Sequence, residues 1–152
     1  MYHEIFLIVL ALIWVLFASI QDLKKRMVSN WLNFSLIIFA LGFRFFYSLF
    51  ESNSFAFFYQ GLIGLGIFFV IGNLLYYGKL FAGGDAKLMI ALGAVLPLSD
   101  VFLVNLRIFA LFFLIFFFVS AIYGIIWSIF LVLSTKNFKV YGKEFRKRIK
   151  NK

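Results

Sequence analysis

Residues 31–50 carry a single charge, Arg44, and residues 55–77 carry none. A helix needs about 20 apolar residues to cross the hydrocarbon core of a bilayer, and both runs have that length. Composition agrees. Hydrophobic residues make up 64% of the 152 and charged residues only 14%, with 24 Phe and a mean hydropathy of +1.03. A soluble domain is nearer one half apolar and one quarter charged, so in water this chain would have too little polar surface to cover itself. The expected fold is all-α: a polytopic transmembrane helical bundle forming one domain.

Further apolar runs lie at 5–20, from Leu88 onward, and at 101–133. The first is expected to be a retained helix and not a signal peptide, because no small-residue cleavage site precedes Gln21 and more apolar runs follow. It reaches spanning length by continuing through Gln21 and Asp22. The run from Leu88 meets Pro97, Ser99 and Asp100 and is too short alone, so its helix is expected to continue past Asp100 towards Arg107. The last run is expected to be one long, tilted span; splitting it would give six crossings instead of five.

Basic residues favour the cytoplasmic side. With the N-terminus outside and five crossings, all but Arg44 and Arg107 of the 15 Lys and Arg fall inside. Six crossings would put the basic tail outside. The expected organisation is therefore a multi-pass protein of the cell membrane, with a transmembrane domain over 1–135 and a basic cytoplasmic tail over 136–152 that can touch anionic lipid. Gly61, Gly64 and Gly72 should let helices approach closely. Asn33-Phe34-Ser35 matches a glycosylation sequon but starts a span on the cytoplasmic side, where no glycan is expected.

Several function classes fall away. The net charge of +9 lies in short clusters between apolar runs, the pattern of membrane topology and not of a nucleic-acid partner. There is no Cys, which excludes disulfides, thiolate catalysis and Cys-ligated metals. The one His, His3, cannot build a metal site by itself, so no metal is expected.

Of the six acidic residues, Asp22 and Asp85 alone sit at membrane boundaries on the inner side. Shared depth on a shared side is what a two-carboxylate site requires. One ionised carboxylate takes a proton from water as it attacks a peptide carbonyl, and a protonated one donates to the carbonyl oxygen or leaving amine. Close carboxylates share a proton and titrate as a pair. This chemistry needs no cofactor. Each Asp also has a plainer reading: Asp22 as a helix-end residue paired with Lys25 or Arg26, and Asp85 as the N-cap of the fourth helix. Helix-end dipoles favour Asp85 as the base and Asp22 as the proton donor. Lys87 either orients Asp85 or marks the inner face.

The local sequences decide between these readings. Around Asp85 the chain runs Phe81-Ala82-Gly83-Gly84-Asp85-Ala86-Lys87-Leu88, within an expected Gly-rich loop over 78–87 whose glycines admit a substrate backbone and unusual dihedral angles. After Asp22 come Arg26, Val28 and Asn30. Together the segments resemble the type IV prepilin peptidase family, including the archaeal preflagellin peptidases. That family carries one catalytic Asp after its first helix and a second closing a Gly-x-Gly-Asp motif. Ala82 stands where the motif's first Gly is usual, and Ser29 where Pro is common. The resemblance implies catalysis by Asp22 and Asp85, with Gly83, Gly84, Lys87, Arg26 and Asn30 shaping the approach of substrate. It implies cleavage of the short basic leader from prepilin-like precursors, of pilin or archaellin type, at the cytoplasmic face. The Cys-rich insert of the bacterial enzymes that also methylate the new N-terminus is missing, so methyl transfer is not carried over. The competing readings are an intramembrane peptidase of the presenilin type, a scaffold or transporter subunit, and an inactive relative. Gln21-Asp22 before a basic loop argues against the presenilin type, in which Tyr precedes that Asp.

Overall fold

The computed structural model describes residues 2–25, 27–50 and 54–134. Arg26 and the tail over 136–152 lie outside the described residues. The chain divides into two units, with the boundary between Ala110 and Leu111. The described residues form five helices and no strand: α1 (Tyr2–Lys25), α2 (Asn30–Phe50), α3 (Ala56–Tyr77), α4 (Gly83–Gly93) and α5 (Phe102–Ser134). α1, α2, α3 and α5 are long and apolar enough to cross a membrane. Large apolar side chains stay exposed along them, among them Leu16, Phe46, Val70 and Leu114, which suits hydrocarbon as the solvent. This is an all-α, multi-pass membrane protein.

α1 runs unbroken through Gln21 and Asp22, as expected. The expected long fourth helix does not form. α4 has 11 residues and stops at Gly93, well short of Asp100. At about 1.5 Å per residue it covers roughly half the hydrocarbon core. The chain then runs without helix over 94–101 before α5 begins. Pro97 removes a backbone donor there, and Arg44 takes up the carbonyls that a helix would have used. Its Nε donates to Ala94 O at 2.9 Å, Nη1 to Phe57 O at 2.9 Å and Nη2 to Val95 O at 3.0 Å, with Pro97 O as a further acceptor. The guanidinium lies 4.3 Å from the Phe57 ring centroid, and Arg44 is fully buried. Irregular backbone at membrane depth is tolerated where protein satisfies it, and here one side chain does most of that. Asn105 completes the turn, donating to Gln60 Oε1 at 3.0 Å and to Ser99 O at 2.7 Å.

α4 packs chiefly along α3, and the sequence dictates how closely. A Cβ on Gly64 would collide with Gly93 O and the Pro97 ring; one on Gly93 would meet Gly64 O at 2.7 Å. A Cβ on Gly72 would lie 3.1 Å from Ala86 O, and one on Gly61 would lie 2.6 Å from Cδ of Arg44. All three expected packing glycines thus serve close contacts. Gly64→Ala should cost about 1–3 kcal/mol, as overpacking against backbone does, and lower the thermal midpoint in detergent. Gly42→Ala, with nothing within 4 Å of the new methyl, should leave it unchanged.

The reversal from α3 into α4 sets the level of Asp85. Gly78 N–H donates to Leu74 O, Lys79 N–H to Tyr76 O and Leu80 N–H to Leu75 O. This is a Schellman-type ending, and its left-handed position, normally Gly, is taken by Lys79 with φ 58°. The turn delivers Ala82 in extended conformation (φ −70°, ψ 156°) as the N-cap of α4.

Candidate active site

Gly83 and Gly84 open α4 and belong to no loop, and no Gly among the described residues has positive φ. Their value is therefore not dihedral freedom. A Cβ on Gly84 would lie 3.5 Å from Val28 N and 3.6 Å from Val28 Cβ. The start of α4 thus rests directly on the segment that follows Asp22. That segment is held from the other side by Gln21, whose Oε1 accepts the Ser29 N–H at 2.9 Å. Lys87 Nζ donates to Asn30 Oδ1 at 2.7 Å, tying α4 to the first residue of α2.

These contacts bring Asp22, Asn30, Gly83, Gly84, Asp85 and Lys87 to one cleft of about 670 Å³, lined also by Gln21, Lys25 and Val28. Arg26, the remaining expected residue, lies outside the described ones. Asp85 is not the N-cap; it is the third residue of α4, and the Ala82 backbone hydrogen-bonds its carboxylate. Among the described residues no ion pair joins Lys87 to Asp85 or Lys25 to Asp22. Lys87 is committed to Asn30, so it does not orient Asp85.

The Asp85 carboxyl is pushed above its ordinary value. Partial burial is the larger cause and the negative charge of Asp22 the next; the Ala82 hydrogen bond opposes both. The helix-end argument gave the opposite sense, because it weighed the dipole and left out desolvation and the second carboxylate. Gln21 was missed as the latch of the site. Its signal was a single amide between an apolar run and an Asp. Among the described residues no group of His, Cys, Asp or Glu could hold a metal ion.

The geometry defines a class: a helical membrane protein in which two acidic residues, carried by different helices, face one open cleft. Comparison with known proteins narrows it. The model of the type IV leader peptidase family matches residues 9–129, and the chain belongs to that family. It is 33% identical over 94 residues to the prepilin peptidase EppA of Methanothermobacter thermautotrophicus, covering 62% of this chain and 24% of that one. It is 34% identical over 85 residues to the preflagellin peptidase of Methanocaldococcus jannaschii, covering 56% and 36%. The chain thus spans about a quarter to a third of these relatives. No solved structure matches.

Proposed function

We propose that the protein is an aspartic endopeptidase that removes the short basic leader of prepilin-like precursors, of pilin or archaellin type, at the cytoplasmic face of the membrane. The observation that carries this reading is the convergence of Asp22 and Asp85 on one cleft, close enough for one charge to raise the pKa of the other. A scaffold has no need to bring them together. Family membership and the names of the two relatives support the substrate class. The charge bias of the loops supports an outer N-terminus and, with α4 and the 94–101 segment together making one of the five crossings, an inner tail.

In the mechanism Asp85 holds the shared proton and Asp22 is ionised. Asp22 takes a proton from a water whose oxygen attacks the scissile carbonyl carbon, while Asp85 gives its proton to the carbonyl oxygen. The tetrahedral intermediate collapses with cleavage of the C–N bond. The leaving nitrogen takes the proton that Asp22 acquired, and the oxygen returns its own to Asp85. The cycle ends with both carboxyls as they began.

Asp85 must stay protonated to act, so cleavage should fall as pH rises through its pKa, which lies above the usual 3.8. Asp85→Glu should move the alkaline limb of kcat/KM and Asp22→Glu the acid limb. Equal effects of either substitution on both limbs would overturn this division of roles. The function itself is tested by co-expressing wild type, Asp22→Asn and Asp85→Asn with a precursor bearing a basic leader and following its size. Shortening by wild type alone supports the reading. Cleavage that survives either substitution overturns the two-aspartate mechanism, and no cleavage by wild type favours an inactive relative.

A further inference from the structure

The chemistry above leaves a second cavity unused. It is a groove of about 660 Å³ between α2 and α3, walled by Phe34, Ile37, Leu62 and Phe69 and floored by Ile90. It adjoins the aspartate cleft, with Asn30 and Lys87, hydrogen-bonded to each other, lining both. One turn further along α2, about 5 Å away, lies Asn33. Asn33 lines the groove, is 4% exposed, and among the described residues neither its Oδ1 nor its Nδ2 has a hydrogen-bond partner. Such burial leaves no room for a glycan. A buried amide without partners is unfavourable, and an apolar side chain of the same branching, such as Leu, would carry no such penalty. The amide is therefore best understood through what enters the groove.

We infer that the groove seats the apolar segment following the scissile bond of the precursor, and that the Asn33 amide, enclosed in the free protein, turns into the groove to hydrogen-bond the backbone of that segment. The inference rests on the peptidase reading and extends it to how the substrate is held. A peptide bond laid open to attack cannot be inside a helix, and the first turn of a helix beginning just after it has free N–H groups. Hydrocarbon satisfies none of them. A side-chain amide offers an acceptor and donors together, the complement of a peptide group. A chain leaving the aspartates towards the membrane passes Asn30 and Lys87 and then meets Asn33. A lipid acyl chain would suit the apolar walls but would leave Asn33 unpaired.

The test uses the full chain in phospholipid vesicles, with a precursor carrying a basic leader and an apolar helix. Asn33→Leu should raise KM roughly tenfold, the worth of one lost buried hydrogen bond, with kcat little changed. Gly66→Leu fills the groove from a wall position with nothing within 4 Å of its Cβ and should raise KM as well. Gly42→Leu, equally unobstructed and outside the groove, is the control. A photoreactive residue placed just after the scissile bond should crosslink to Asp85→Asn protein, and Gly66→Leu should abolish the crosslink. If wild type cleaves and both groove variants keep the wild-type KM, the groove assignment is overturned and the peptidase reading stands. Capture of lipid alone by a photoreactive residue at Leu62 also overturns it. If wild type does not cleave, both readings fall together.

Discussion

The double variant Asp22→Asn/Asp85→Asn should cleave a precursor no more slowly than either single variant, with all three roughly a thousandfold or more below wild type. The reason is that in the proposed mechanism the two carboxyls act on one water and one carbonyl in the same step. Once either is gone, the other has no partner to pass a proton to, so the second loss adds nothing. Independent roles would instead multiply the two losses. Loss of cleavage in Asp85→Asn cannot be blamed on unfolding. Because the folded chain raises the pKa of Asp85, that residue's contribution to stability is present below the ordinary carboxylate range and is lost as pH rises through the raised value. At neutral pH an Asn there should hold the protein at least as firmly as the wild-type Asp. Equal membrane levels with cleavage absent is the expected pair of results. A double variant measurably slower than both singles would argue that the two carboxyls work separately.

Arg44→Met should be the most damaging single change to the fold. It would strand the carbonyls of Ala94, Val95 and Pro97, which the guanidinium now serves and which lie outside any helix. An unsatisfied buried group costs about 1–3 kcal/mol, so even the low end gives about 3 kcal/mol. That is a large share of the 5–15 kcal/mol that typically holds a domain together. Protein should fail to accumulate in the membrane, or unfold in detergent at a much lower temperature. Arg44→Lys keeps the charge but has one compact ammonium where four acceptors are spread around a planar fork. It should fall between the two. An Arg44→Met protein with wild-type thermal stability would show that the 94–97 segment finds other partners.

Hydropathy and charge made the long helices legible, because hydrocarbon imposes one length rule on any span. The meeting of Asp22 with Asp85 was legible only through two short motifs, since no local rule brings together residues on separate helices. The early end of α4 was hidden. Ala94, Val95 and Leu96 read as helix, and what stops them is Pro97 together with an Arg that reaches Ala94 from 50 positions away. Gly83 and Gly84 read as loop because glycine disfavours helix interiors; they instead open α4, where Gly83 lies beside Tyr76 and Gly84 beside Val28. Asn33 was visible as an amide within an apolar run, but only packing revealed it as buried and unpaired.

The shortness of α4 bears on how the protein tolerates different membranes. A helix that spans lipid adjusts to bilayer thickness by tilting or by deforming its surroundings. α4 does not span on its own. Gly64 and Gly72 set its height against α3, and Arg44 ties the segment beyond it to α2. The position of Asp85 is thus gauged against neighbouring protein and not against the lipid. Lengthening or shortening the acyl chains should shift the whole bundle while leaving the cutting point at the same place along a docked substrate.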